Sequence, residues 1–262
     1  MNSSDLEQFA KSMNLMADAS GELIRQLRVS SVAAEIKADG SPVTSVDQAA
    51  EESIRNIIAK LHPDHGICGE EFSDTAPDSE FVWVIDPIDG TLPFLAGFPV
   101  FGTLIALLHH QKPILSTIDM PVTMERWIGG ENWPTTLNNN PVRVRSCADI
   151  SQAMFSTSNP DFYDDSNRPA FEAMRHASQL NVYGGSCMAY AQLATGRVDV
   201  AMDVLFDIYD YLPLVPVING AGGVITDWQG NELNQHSGDK LVASGDRRVH
   251  EQALKILQAN GH

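Results

Sequence analysis

Apolar residues near the start of the chain, Leu6, Phe9, Met13, Met16, Leu23 and Leu27, recur at intervals of three, four and seven. That spacing lines one side of an α-helix, so an amphipathic helix is predicted over 4–28. A second is predicted from Ser45, with Gln48 three positions on as its capping partner, to a stop before Pro63. The stretch between them, KADGSPVTSVD (37–47), is polar and turn-rich. Farther on, FVWVI (81–85), FGTLIALLHH (101–110), PILSTID (113–119) and ERWIG (125–129) read as strands, the middle two joined as a hairpin at 110–113. After residue 146, short apolar runs at 153–157, 180–183, 198–203, 223–226 and 241–244 alternate with helical stretches at 168–178, 186–195, 207–220 and 246–259. Such alternation predicts α/β layering. With no repeat and no long linker, the halves 1–145 and 146–262 are expected to share an interface and act as one catalytic unit.

The 262 residues, 43% hydrophobic and 19% charged, suffice for a sizeable core. A net charge of −17 with no basic stripe argues against a nucleic-acid surface, which needs cations to neutralise phosphates. An acidic chain that takes an anionic ligand needs a bound cation to mediate. Three widely spaced cysteines without a CxxC pair suggest neither a disulfide framework nor a zinc site. The first residues lack the basic flank and apolar run of a signal peptide, and no segment has the apolar length of a membrane span. The cytoplasm is the expected location.

Two aspartates three positions apart lie in WVIDPIDGT (83–91), directly after an apolar run. Asp-Pro and Asp-Gly both favour turns, and a pair of turns is one reading. A phosphotransferase nucleophile at a strand end is another, although its familiar motif separates the aspartates by one residue. A third takes Asp86 and Asp89 as ligands of hard cations on either side of a tight turn, with the Ile88 carbonyl as a neutral oxygen donor. This third reading calls for more carboxylates near turns or element ends. Glu70 and Glu71 in CGEEF, Asp47 in VTSVDQ, and Asp207 and Asp210 in FDIYDYLPL supply them. Each alone suits a solvated or helix-start charge; their conjunction points to cations.

GEEF (69–72), WVIDPIDGT (83–91) and YDYLPLVPVINGAGG (209–223), with KADGSPVTSVD upstream, have the order and separations of the inositol monophosphatase superfamily. The chain resembles that superfamily over most of its length. The resemblance implies an α/β (α+β) layered αβαβα sandwich, a magnesium-dependent phosphomonoesterase activity with two or three ions, and a homodimer. It implies that Glu70, Asp86 and the Ile88 carbonyl hold a first ion, and Asp86, Asp89 and Asp210 a second. Asp47 and Thr91, with Glu70, match the residues that orient and deprotonate a metal-bound water. Lys37 matches a basic residue near the metals and phosphate. Gly90 and Thr91 open a helix whose N–H groups can hold phosphate oxygens. Asp207 falls on no ligand position of the family and reads as a helix-start charge.

Within the superfamily, YDYLPLVPVINGAGG and VYGGSCMAY (182–190) most resemble the histidinol-phosphatase branch. Gly185, Ser186 and Asp203 are the residues this likeness assigns to the substrate. The expected substrate is a small phosphorylated metabolite, histidinol phosphate first. Inositol 1-phosphate and a 3′(2′),5′-bisphosphate nucleotide are alternatives, as is a binding partner of the transcription machinery with vestigial activity. Three departures bear on the substrate: Leu92 and Pro93 stand where polar residues are usual, Ser186 where the branch has aspartate, and Asp203 where it has glutamate. Trp83, Trp127 and Trp228 read as core residues, Cys187 as a buried small residue, and Asp161 as a solvated loop acid. His109 and His110 end a strand, with nothing nearby in the sequence to make them metal ligands.

Overall fold

Alternation along Phe81–Asp89 and Gly102–His109 sorts their side chains onto the two faces of one sheet. Trp83, Ile85, Ile105 and Leu107 point to one side, where Met13 and Met16 of helix Ser3–Leu27 and Ile54 and Ile58 of helix Ser45–Leu61 cover them. Val82, Val84, Leu104 and Ala106 point to the other, against Tyr190, Leu193, Leu214 and Val217. The computed structural model describes residues 3–28, 34–36, 42–130 and 132–261.

The sheet has seven strands, in the order Gly66–Gly69, Phe81–Asp89, Gly102–His109, Lys112–Met120, Glu125–Gly130, Trp133–Leu137 and Asn140–Pro141. Its first pair is parallel and the rest antiparallel. Helices Cys187–Ala194 and Leu214–Gly220 lie between this sheet and a second one of five strands. The second sheet runs Leu180–Tyr183, Met154–Thr157, Val200–Asp203, Leu241–Ser244 and Val224–Asp227. Its far face, with Phe155, Val200, Met202 and Val242, is covered by helices Arg168–Ala177 and Arg247–Asn260. Helix, sheet, helix, sheet, helix is the five-layer order the sequence leads one to expect. Trp83, Trp127, Trp228 and Cys187 are all buried. No helix among the described residues is long and apolar enough to cross a membrane.

Two local expectations give way. The second helix is capped by Thr44, not by the Ser45 and Gln48 pairing: the Thr44 side chain accepts from Val46 N–H at 3.1 Å while Asp47 accepts from Thr44 N–H at 2.9 Å. The single helix expected over 207–220 is two, Ile208–Tyr211 and Leu214–Gly220, because Pro213 has no N–H to continue the ladder. The apolar run at 180–183 does form a strand, at the edge of its sheet, with Leu180, Val182 and Tyr183 exposed.

Candidate active site

The DPID segment ends the Phe81–Asp89 strand, and the ladder with Gly102–His109 slips there. Asp86 pairs with Leu104 but Asp89 with Gly102, so three steps on one strand match two on the other. In a regular strand, residues three apart face opposite sides. The extra residue resets the alternation and lets both carboxylates reach one side. Two bonds set this turn: Ile88 N–H donates to Asp86 Oδ1 at 2.9 Å, and the Thr103 hydroxyl donates to the Pro87 carbonyl at 2.8 Å. The Ile88 side chain is buried with Ile24, Val46, Ala50, Phe94 and Phe101, which anchors the turn to both N-terminal helices.

Asp210 reaches the same place from the short Ile208–Tyr211 helix. Its Oδ2 accepts from Asp207 N–H at 2.8 Å, with Asp207 standing at the N-cap as a helix-start residue. One carboxylate oxygen from each of Asp86, Asp89 and Asp210 lies within 4.8 Å of the others. Glu70 hydrogen-bonds the Asp86 side chain, and its N–H donates to the Ile85 carbonyl at 3.2 Å. The crowded acids resist ionisation. Burial first, then repulsion from Glu70, Asp89 and Asp210, holds Asp86 well above the ordinary carboxylate range. Asp210 is raised by burial and then by Asp89. Asp89 is raised by burial, opposed by the Cys187 N–H that donates to its Oδ2 at 2.6 Å.

The remaining predicted residues divide. Asp47 is buried and raised by burial, with Thr44 bonds opposing and Glu70 adding repulsion. It does not pair directly with Thr91, whose hydroxyl donates instead to the Ile88 carbonyl at 3.3 Å. Gly90 has φ +87°, and a β-carbon there would lie 2.9 Å from Ser186 Oγ, so glycine suits both the backbone and the close approach. Ser186, just after Gly185, has φ +45° and leads into helix Cys187–Ala194, whose first N–H binds Asp89. It therefore borders the acidic cluster. Lys37 lies outside the described residues.

Asp203 departs from its expected role. Its Oδ1 accepts from the Thr157 hydroxyl at 2.7 Å and Ser158 N–H at 2.6 Å, and its Oδ2 from the Ser158 hydroxyl and Tyr190 OH, each at 3.0 Å. A carboxylate with four protein donors has no need of a substrate amine. It anchors Ser158 and Tyr190 instead, with burial raising it to about 6. Asp161 stays exposed on the 3-10 turn Pro160–Phe162. His109 and His110 do acquire a neighbour, since Glu80 comes alongside them.

Glu51 and Arg55 escape a reading by motif. Glu51 is fully buried and accepts from Glu71 N–H at 2.8 Å and Arg55 Nε at 2.7 Å, while Arg55 also donates to the Phe72 carbonyl at 3.0 Å. Together they hold the segment that carries Glu70. A β-carbon on Gly69 would fall 2.0 Å from Glu51 Oε1, so only glycine lets the carboxylate sit there.

The chain is similar to known proteins over most of its length. The chain is 43% identical to the bifunctional phosphatase IMPL2, chloroplastic, of Arabidopsis thaliana, over 98% of this chain and 77% of that one. It is 32% identical to a histidinol-phosphatase of Chlorobaculum parvum, over 80% and 81% of the two chains. A solved inositol monophosphatase from Zymomonas mobilis superposes with a TM-score of 0.89 at 35% identity, over 96% of this chain and 98% of that one. The model of the inositol monophosphatase family matches residues 5–262. The chain belongs to the inositol monophosphatase family, whose members are metal-dependent phosphatases that hydrolyse phosphomonoesters.

Proposed function

We propose that this phosphatase uses Mg2+ and hydrolyses histidinol phosphate. The observation that carries the metal reading is the convergence of the Asp86, Asp89 and Asp210 carboxylates from two distant segments. The donor set fits magnesium, being made of hard oxygens whose mutual repulsion a divalent cation relieves. Bound Mg2+ would supply Lewis acidity and a water of lowered pKa.

The protein's own groups divide the rest of the work. Glu70, Asp86 and the Ile88 carbonyl would form one set of donors, and Asp86, Asp89 and Asp210 a second that shares Asp86. The Cys187 N–H and the Ile88 N–H keep Asp89 and Asp86 turned toward this point. Asp47, raised by burial, takes the proton from the attacking water at its carboxylate, with Glu70 and Thr91 orienting that water. The N–H groups of Gly90 and Thr91 receive phosphate oxygens. Gly185 and Ser186 border the leaving group, and exposed Leu92 offers its ring an apolar contact.

The substrate assignment rests on likeness to curated histidinol-phosphatases. We extend the reading to a homodimer, which the family resemblance implies. Phosphate release should be measured with saturating Mg2+ on histidinol phosphate, inositol 1-phosphate, fructose 1,6-bisphosphate and adenosine 3′,5′-bisphosphate. Histidinol phosphate should lead in kcat/KM by roughly tenfold or more; an equal or higher value for another ester overturns the substrate. The chain is also 30% identical to a Nus factor SuhB of Pasteurella multocida. Absence of Mg2+-dependent turnover on every ester, in a folded protein, would favour the transcription-partner reading.

A further inference from the structure

We propose that Glu80, His109 and His110 form a second, separate cation site that takes a transition metal such as Zn2+ or Cu2+ and not Mg2+. It lies at the opposite end of the strand that carries Asp86 and Asp89. Glu80 immediately precedes that strand's first residue, Phe81, and six residues of extended chain span roughly 20 Å to Asp86.

The ladder itself brings the three ligands together. His109 is the cross-strand partner of Phe81, and His110 N–H donates to the Glu80 carbonyl at 2.9 Å. His109 Nε2 stands 3.2 Å from Glu80 Oε1, and one donor atom from each of the three residues lies within 4.8 Å of the others. Zinc bonds of about 2.0–2.1 Å in a tetrahedron set neighbouring donors roughly 3.3 Å apart. One pair already has that spacing, and a rotation of exposed His110 closes the third donor on it. The His109 ring is held in place, since Phe81 stacks on it at 4.7 Å and is itself stacked with His65 at 4.9 Å.

Donor chemistry sets the selectivity. Two imidazoles and a carboxylate suit Zn2+, Cu2+ or Ni2+, whereas Mg2+ prefers oxygen and water. Three protein donors leave room for water on the metal. The hairpin turn adds a second observation. Its two residues, His110 and Gln111, have φ of +49° and +67°, a turn in which Asn-Gly is the relaxed choice. A histidine at this position sets an imidazole at the tip of the turn, next to Glu80. A metal here would staple the hairpin to the entrance of the central strand, remote from the chemistry.

Cu2+ titrated into the full-length protein, held in excess Mg2+ and followed by electron paramagnetic resonance, tests the site. Asp86, Asp89 and Asp210 offer only oxygen, so nitrogen hyperfine lines report histidine ligation. One equivalent should bind with two imidazole couplings, and Zn2+ should displace it. His110→Asn suits the turn and preserves the fold; it should leave one coupling and weaken binding at least tenfold. His109→Ala with His110→Ala should remove both couplings, and Glu80→Gln should weaken binding without removing them. Mg2+-dependent phosphate release should match the parent in all of these variants. Oxygen-only spectra, or couplings unchanged in the variants, would overturn the proposal.

Discussion

Replacing Asp89 by asparagine separates the electrostatics of the acidic cluster from its packing. In the metal-free protein Asp89 shares a space within 4.8 Å with Asp86 and Asp210. Two unit charges at that separation repel by about 3 kcal/mol at an effective dielectric near 20. Burial and mutual repulsion raise Asp86 and Asp210, so proton uptake by the cluster offsets part of this repulsion. Asparagine keeps an oxygen for the Cys187 N–H, but the bond loses its charge and about 1 kcal/mol with it. A net gain of about 1–2 kcal/mol follows, or about 2–8 °C in Tm for a chain of this size. Thermal unfolding in EDTA reads it directly. With Mg2+ at a hundred times its Kd the parent should gain about 2.7 kcal/mol, and Asp89→Asn should lose most of that gain together with its turnover. The variant is therefore more stable than the parent without metal and less so with it. A variant destabilised in EDTA, or one with the parent's full response to Mg2+, would refute the reasoning.

Other outcomes follow from single contacts. Glu51→Ala strands the Arg55 guanidinium and frees the segment bearing Glu70, so it should cost about 3–5 kcal/mol in unfolding and weaken Mg2+ activation in kinetics. His250 is buried between Thr226 and Ser244, and burial lowers it from 6.5 to about 4. Its stabilising contribution, on the order of 3 kcal/mol, is therefore present above pH 6.5 and lost as pH falls through 4, and His250→Gln should flatten denaturant midpoints across that window. Ser186→Asp should raise kcat/KM for histidinol phosphate roughly ten- to a hundredfold and leave inositol 1-phosphate unchanged, because only the former offers a cationic amine. Equal responses from both esters would remove Ser186 from the substrate's surroundings.

The layers were legible because strand and helix periods are strong signals. Trp83 against Val84, and Ile105 against Ala106, alternate cleanly between the two faces of one sheet. The acids of the cluster were legible as a motif, but the way Asp86 and Asp89 come to share a side was not. It depends on a one-residue slip that only the partner strand reveals. The Gly66–Gly69 strand went unseen, since a glycine at each end reads as a turn. Glu51 and Arg55 look in sequence like an ordinary helical ion pair four residues apart. Only the fold shows the carboxylate under the Glu71 N–H. The same limit hid Glu80 from His109, some thirty residues away in sequence and one hydrogen bond away in space. Asp203 shows the same limit from the other side: its position suggests a substrate role, while its donors, Thr157, Ser158 and Tyr190, come from segments that no local pattern links.

Anomalous diffraction from crystals grown with Mn2+, collected at the manganese edge, would locate the cations themselves. Peaks are expected roughly 2.0–2.3 Å from carboxylate oxygens of Asp86, Asp89 and Asp210, each lost or weakened in Asp89→Asn. Manganese bound elsewhere, with those three carboxylates left clear of it, would contradict a two-cation phosphatase built on this cluster.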